Sequence, residues 1–591
     1  FNTHVWSTNE HGAALIHNPL FNKGTSFTAS ERERLGIRGL VPPAHIPIEK
    51  QEQRILRHLE SCQSDVGRYV TLSNLMDRNE TLYYYVVSKN LNKLAPIIYT
   101  PTVGKACQNF SSIYRRSRGM YFTPEDKSEM HSMVYNWPVE EVDVIVVTDG
   151  SRILGLGDLG CQGMGIPIGK LALYVAVGGV NPAKVLPIQL DFGTNNKTLL
   201  DDPLYIGRKT PRVPHELFIE LMDEFMSAVY ARWPKVLVQF EDFSSRNAFA
   251  LLERYKENHL VFNDDIQGTG AVALAGIMGY LRVRGLPRSA LKDQKIVCLG
   301  GGSAGIGVMD ALMTGMMKEG LSKEAAAENI YILDSKGLIG RHRAGEQQLP
   351  FAKPQELDGL PLLETIKEVK PSILLGLSGA AGAFTEEIIR EMMKYCDRPF
   401  ICPMSNPTDN AECTTEDAFK WSDGRALLAT GSPFDPVEYN GKTLHSSQAN
   451  NMYVFPSLGL MSAIARPSII PDSMFYVVAC SLASSLTDGD MKDGKVYPGL
   501  DHIREVSKKI TIDTCIHAWD TGIARNKRPR NVVAERNGDK AHLLLIFLLP
   551  KCSPNCQRCA PPAELSPELW PNEPFKLVNE KRDAMALLVK Y

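Results

Sequence analysis

The stretch Lys295-Ile-Val-Cys-Leu-Gly-Gly-Gly-Ser-Ala-Gly305 decides the fold. An apolar strand runs into a glycine-rich turn that opens a helix, and Gly300, Gly302 and Gly305 match G-x-G-x-x-G. That order brings bare backbone N–H groups to a helix N-terminus, where a pyrophosphate is favoured. Gly300, Gly302, Ser303, Ala304 and Gly305 are the expected cradle, since none carries a bulky or acidic side chain. The next strand ends in Asp334, placed to accept a ribose 2′-OH as in NAD sites. Ser335, Lys336, Arg341 and Arg343 follow closely and can hold a 2′-phosphate instead, or this is a solvated loop. NAD against NADP stays open.

Working outward, strand-like runs at 295–300, 329–334, 372–377, 399–404 and 426–430 alternate with helix-like ones. This predicts a Rossmann-type, doubly wound dinucleotide-binding domain over 264–449. Upstream, strands at 142–147, 185–190 and 236–240 alternate with helices at 167–177 and 216–231. They predict a parallel-sheet catalytic domain over 118–263, completed by helices within 450–524. Residues 1–117 form a helical N-terminal domain, with Ile55, Leu56 and Leu59 sharing one helix face. Tyr83, Tyr84 and Tyr85 read as core aromatics. Residues 525–591 are an atypical tail: basic, then apolar, then rich in Pro and Cys. The fold class is α/β.

A second glycine loop, Gly155, Gly157 and Gly160, fits the same pattern. Asp158 inside it would repel phosphates and Arg152 precedes it, so it reads as a tight turn of the catalytic domain.

Bulk properties exclude several classes. With 591 residues, 44% hydrophobic and 22% charged, the chain is an ordinary globular protein. A net charge of -2 gives no electrostatic handle for nucleic acid or an acidic membrane. The twelve cysteines are scattered through apolar segments, which suits reduced thiols inside a cell. Cys552, Cys556 and Cys559 cluster, one ligand short of a closed zinc site. No apolar run is long enough to span a bilayer. Because the chain starts at Phe1 rather than Met, the lack of a targeting peptide decides nothing about compartment.

Chemistry concentrates at Val261-Phe-Asn-Asp-Asp-Ile-Gln-Gly-Thr-Gly-Ala271. Asp264 and Asp265 adjoin where a strand meets a helix expected from Ile266, and burying both unpaired is costly. A helix N-cap accounts for one acid. A divalent cation site accounts for both, with Glu241 and Asp242 supplying further oxygens from the end of the strand at 236–240.

Further motifs fall at carboxyl ends of strands, where open α/β sheets place function. They are Thr148-Asp-Gly-Ser-Arg152, Gly165-Ile-Pro-Ile-Gly-Lys170, Phe240-Glu-Asp-Phe243 and Ser405-Asn-Pro-Thr408, while Ser378-Gly-Ala-Ala-Gly-Ala383, after the third strand of the dinucleotide domain, fits a close backbone approach to cofactor. Tyr99-Thr-Pro-Thr-Val-Gly104 and Gln448-Ala-Asn-Asn451 join them. From about residue 18 to 512, the chain resembles the malic enzyme family in the order of these motifs.

The resemblance implies oxidative decarboxylation of (S)-malate to pyruvate and CO2 with reduction of NAD or NADP. It implies Mg²⁺ or Mn²⁺ on Glu241, Asp242 and Asp265, with Asp264 beside them orienting Lys170. Arg152, Asn406 and Asn451 would hold malate, Asn406 also bordering the cofactor. Lys170 would take the hydroxyl proton, which requires desolvation to depress its pKa. Tyr99 would protonate C3. Taken singly, Lys170 could equally snorkel from its helix, and Asn406-Pro407 is a turn former whatever else it does.

Malolactic enzyme, which turns malate into lactate, is the close alternative, and a catalytically silent NAD(P)-binding scaffold the distant one. A homotetramer built as a dimer of dimers is implied, with neither nucleic acid nor membrane as partner. The expected location is intracellular, in cytoplasm or mitochondrion. Arg54 and Arg78 align with arginines that bind fumarate in some animal members. Ile46-Pro-Ile48 lacks the acidic partner, so fumarate activation is not expected.

Overall fold

A computed structural model of the chain describes residues 5–406 and 408–529, with two strands at Lys576–Asn579 and Leu587–Lys590. It forms two compact units, Phe1–Ile98 with Arg528–Tyr591, and Tyr99–Lys527. The cysteine trio of the tail lies outside the described residues.

The first unit is helical, as its spacing predicts: Ile48–Ser61, Asp65–Arg78, Glu80–Lys89 and Leu91–Ile98. Leu59 is buried and Ile55 and Leu56 half-buried on the shared face. Asn79 separates two of these helices and accepts the Leu82 N–H with its side chain, a cap that starts the next turn. Tyr83 and Tyr84 are buried edge to face, and Tyr85 is half-buried. Strands Val5–Thr8, Leu587–Lys590 and Lys576–Asn579 make an antiparallel sheet that the sequence reading did not foresee.

The second unit carries two sheets. The first comprises β1 (Met120–Phe122), β2 (Val144–Thr148), β3 (Val185–Leu190), β4 (Leu237–Phe240) and β5 (Val261–Asn263). All pairings are parallel, in the order β1-β3-β2-β4-β5. Strand β2, Val-Ile-Val-Val-Thr, is buried at every position, the near-continuous apolar run that a sheet covered on both faces requires. Helix α1 (Gly165–Ala176) and helix α2 (His215–Arg232) are as expected, and Phe225 and Met222 of α2 enter the core.

At the end of β5 the structure corrects the sequence. No regular helix begins at Ile266; Asp264–Gly268 form a single π-helical turn, and α4 begins only at Thr269, after α3 (Ser245–Tyr255) upstream. The Asn263 side chain caps this turn by accepting the Ile266 N–H at 3.0 Å. Neither Asp264 nor Asp265 is the cap. Such widened turns are rare and gather at functional sites.

The second sheet holds β6 (Ile296–Leu299), β7 (Ile330–Asp334), β8 (Gly337–Leu338), β9 (Ile373–Gly376), β10 (Phe400–Pro403), β11 (Leu427–Thr430) and β12 (Ser447–Gln448). Its order is β12-β11-β10-β9-β6-β7-β8, parallel except for the β7–β8 edge. Strand β6 therefore has β7 on one side and β9 on the other. The order reverses between β6 and β9, and ligands bind beyond the carboxyl ends at such a point. Among the described residues, no helix is long and apolar enough to cross a membrane.

Candidate active site

The two acidic pairs meet because their strands are neighbours. Phe240 and Asn263 are register partners on β4 and β5, so Glu241-Asp242 and Asp264-Asp265 emerge side by side. Asp242 has φ +56°, a left-handed conformation that costs roughly 1–3 kcal/mol for a residue other than glycine. Its N–H donates to Asp265 Oδ2 at 2.7 Å, and its own Oδ1 accepts the Leu154 N–H at 3.2 Å. Asp242 Oδ2, buried, has no hydrogen-bond partner.

One oxygen each from Glu241, Asp242 and Asp265 lies within 4.8 Å of the others. Burial and mutual repulsion push all three carboxyls above their ordinary range. Negative charge packed this densely out of water calls for a countercharge. An all-oxygen donor set, buried at Glu241 and Asp242 and half-buried at Asp265, with an unsatisfied oxygen fits a hard divalent cation.

Lys170 is 1% exposed, so its ammonium does not snorkel to solvent. It is paired with Asp264 and lies 3.0 Å from Glu241 Oε1, with the ring centroids of Phe455 at 4.4 Å and Tyr99 at 5.2 Å. Burial alone would depress its pKa, as expected from sequence. The Asp264 and Glu241 carboxylates outweigh burial and hold the ammonium well above its ordinary value. The expected depression is therefore reversed while the carboxylates carry no other cation. Burial likewise pushes the Tyr99 hydroxyl upward, partly offset by Lys170.

Asn451 joins this cluster: its Nδ2 donates at 3.0 Å to Asp264 Oδ2, to the Asp264 carbonyl and to Thr269 Oγ1. Arg152 sits at its border. Its backbone N–H donates to the Asp242 carbonyl, and its Nη1 reaches Ser245 Oγ at 2.6 Å and Ser303 Oγ at 3.4 Å. Tyr99, Arg152, Lys170, Glu241, Asp242, Asp264, Asp265 and Asn451 are thus brought together. Asp334 ends β7 of the second sheet and Asn406 lies in the loop three residues beyond β10; neither makes a hydrogen bond to the carboxylates. Asn406 Oδ1 accepts the Ser432 hydroxyl. Asp334 is held by Arg343 and by the Lys336 N–H, and Arg343 is also held by Asp358.

Gly300 has φ +133°, and a Cβ there would come within 2.5 Å of the Leu377 carbonyl group. Helix α5 (Ser303–Lys318) begins against this turn, where a Cβ on Gly305 would lie 1.9 Å from the Gly300 oxygen. The loop at Gly155, Gly157 and Gly160 is a tight turn, closed by the Ile153–Gly157 bridge.

Sequence reasoning missed three supporting residues. Arg212 clasps Asp158 at 2.7 Å and reaches Asp149, which explains the acid within the first glycine loop. Gln239, fully buried, donates to Glu241 Oε2 at 2.5 Å and accepts the Tyr174 hydroxyl. The signal for Gln239 was present: a lone polar residue in the apolar run Val236-Leu-Val-Gln-Phe240. Arg212 and Tyr174 left no comparable mark.

Comparisons with known proteins point to one family. Residues 76–256 match the family described as "Malic enzyme, N-terminal domain", and residues 266–519 match "Malic enzyme, NAD binding domain". The chain is 48% identical over 524 residues to an NADP-dependent malic enzyme of Dictyostelium discoideum, covering 88% of this chain and 96% of that one. It is also 48% identical to the mitochondrial NAD-dependent malic enzyme 2 of Arabidopsis thaliana, over 84% and 85% of the two chains. In fold it resembles the crystal structure of Entamoeba histolytica malic enzyme, with TM-score 0.52, 20% identity and coverage of 82% and 89%.

Proposed function

The chain belongs to the malic enzyme family, and from that premise we propose how its residues carry out the reaction. It oxidises malate at C2 with reduction of NAD(P)⁺ and releases CO2 to leave pyruvate. The observation carrying the site assignment is the convergence of Glu241, Asp242 and Asp265 beside Lys170 and Tyr99.

In this reading Arg152 receives the C1 carboxylate with its planar fork, and Asn451 and Asn406 orient the rest of malate. Lys170 takes the proton of the C2 hydroxyl, held in line by Asp264. It must be neutral at that moment, so the carboxylates that keep it charged have to find another countercharge. Bound at Glu241, Asp242 and Asp265, Mg²⁺ or Mn²⁺ would supply that charge and Lewis acidity, and the nicotinamide the hydride acceptor. Loss of the C4 carboxylate as CO2 leaves an enolate, and Tyr99 delivers the proton to C3. A hydroxyl whose pKa is raised by burial keeps its proton until this step and is restored from Lys170. Low exposure of Lys170 excludes water, so the reactive enolate is protonated by the enzyme.

The dinucleotide would lie on Gly300, Gly302, Ser303, Ala304 and Gly305, with Asp334 towards the ribose. Residues 118–263 with 450–524 would then form the malate and metal domain, and 264–449 the cofactor domain. A homotetramer in cytoplasm or mitochondrion completes the proposal. The cysteines described carry no disulfide, which suits a reducing compartment.

An assay at 340 nm with (S)-malate and Mn²⁺, run in parallel with each nicotinamide, tests the reading and settles the cofactor. Pyruvate with net reduced dinucleotide is the expected product; lactate without it would mean the malolactic reaction. Light scattering tests the tetramer.

A further inference from the structure

We propose that Glu412 is a positioning residue for the dinucleotide, its buried carboxylate clamping together the two loops that leave β9 and β10. The inference rests on the cofactor assignment above.

Glu412 is 0% exposed, yet its partners belong to exposed or half-exposed loops. Oε1 accepts the Ser378 N–H at 2.9 Å, the Ser378 hydroxyl at 2.8 Å and the Ser405 hydroxyl at 2.6 Å. The same two hydroxyls then accept backbone donors: Ser378 Oγ from the Ala380 N–H at 3.1 Å and Ser405 Oγ from the Gly379 N–H at 2.9 Å. The far end of the loop is closed on the same segment, since the Phe384 N–H donates to the Glu412 carbonyl at 2.9 Å.

Gly376, the last residue of β9, makes room for this arrangement. A Cβ there would come within 2.5 Å of the Glu412 carboxyl. Between the two closures, Ser378-Gly-Ala-Ala-Gly382 is exposed, with Gly379 and Gly382 at φ +68° and +71° and nothing within 4 Å of their Cβ positions. Within it the Ala383 N–H turns back to the Ala380 carbonyl and the Gly382 N–H donates to the Ala411 carbonyl, both at 3.2 Å. The start of the loop is held by hydrogen bonds that converge on one carboxylate oxygen.

The loop from Ser378 borders the point where the strand order reverses, and the loop from Ser405 lies one strand further along the sheet. Leu377, just before Ser378, meets Gly300 of the phosphate turn, and Ser405 precedes Asn406. Glu412 therefore fixes the wall of the crevice opposite the glycine turn. Without it, three donors lose a charged acceptor at once and the wall is free to move.

The test is calorimetric titration of NAD⁺ and NADP⁺, without malate or metal, into the wild type and the variants E412A, E412Q and S405A, with melting temperatures alongside. Losing a charge-assisted clamp should raise the dinucleotide Kd of E412A about tenfold or more. E412Q should recover most of that loss, because Gln keeps the one accepting oxygen and Glu412 Oε2 has no hydrogen-bond partner to lose. S405A should fall between. A folded E412A with unchanged Kd overturns the proposal; if E412A does not fold, an unchanged Kd in S405A overturns it. A wild type that binds neither dinucleotide removes the cofactor assignment and the clamp with it.

Discussion

The backbone N–H of Asp242 donates to the carboxylate of Asp265 at 2.7 Å, fixing together two acids that each lie two residues beyond the end of neighbouring strands. The bond holds Asp265 towards Asp242 and leaves Asp242 Oδ2 unsatisfied. Replacing Asp265 by Asn keeps an acceptor for that N–H and removes one charge. Mn²⁺ affinity should then fall by about tenfold or more, while dinucleotide affinity stays within about twofold. The paramagnetic signal of bound Mn²⁺ reads this without turnover. An unaltered titration would remove the cation assignment.

Lys170→Ala should reduce malate oxidation by about 10²–10⁴-fold, the usual contribution of a positioned acid–base group. Dinucleotide binding should be little changed, since Lys170 touches none of the glycine turn. The same change leaves Asp264 and Glu241 buried without their cation, a loss of about 3–5 kcal/mol when one partner of a buried pair is removed. Mn²⁺ should restore part of that stability. Unchanged turnover in the variant would exclude Lys170 as the base.

Lys353 offers a pH-dependent prediction away from the site. It is buried, donates to the Ala327 and Glu328 carbonyls and lies over the Tyr331 ring. Burial pulls its pKa from 10.5 to about 8, against the attraction of Glu328 and with the repulsion of Arg341. Between about 8 and 10.5 the unfolded chain binds a proton that the folded one does not, so stability rises with pH there and is lost as pH falls through about 8. The span corresponds to on the order of 3 kcal/mol. Relative to Lys353→Met, the wild type should gain that amount between pH 7 and 10.5 in denaturant titrations. A constant difference would refute the assignment.

Strands buried on both faces were legible in the sequence. Ile296–Leu299 and Val144–Thr148 are continuous apolar runs that few other structures accommodate. Met120–Phe122 and Ser447–Gln448 were not legible: three residues, or two polar ones, carry no period. Nor was the π-helical turn, because Ile266 continues the apolar pattern of the helix that starts at Thr269. The carboxylates were identified by chemical type, but the protonation of Lys170 was not. Its direction is set by Asp264, 94 residues away, and a local reading sees the desolvation of Lys170 without its partners.

Gly305 separates the requirements of cofactor and cation. A Cβ at this position would lie 1.9 Å from the Gly300 oxygen, which is backbone and cannot swing aside. Gly305→Ala must therefore push the start of α5 away from the turn that follows β6. The N–H groups at that helix start would no longer converge on a bound pyrophosphate. Dinucleotide affinity should drop by about tenfold or more, as expected when a first-turn anion site is displaced by an ångström. Mn²⁺ binding should persist, because Glu241, Asp242 and Asp265 are held by the first sheet. Calorimetry with dinucleotide and Mn²⁺ separately distinguishes the cases. Intact dinucleotide binding would move the phosphate site off Gly300–Gly305, whereas loss of both ligands would mean that the substitution had unfolded the chain.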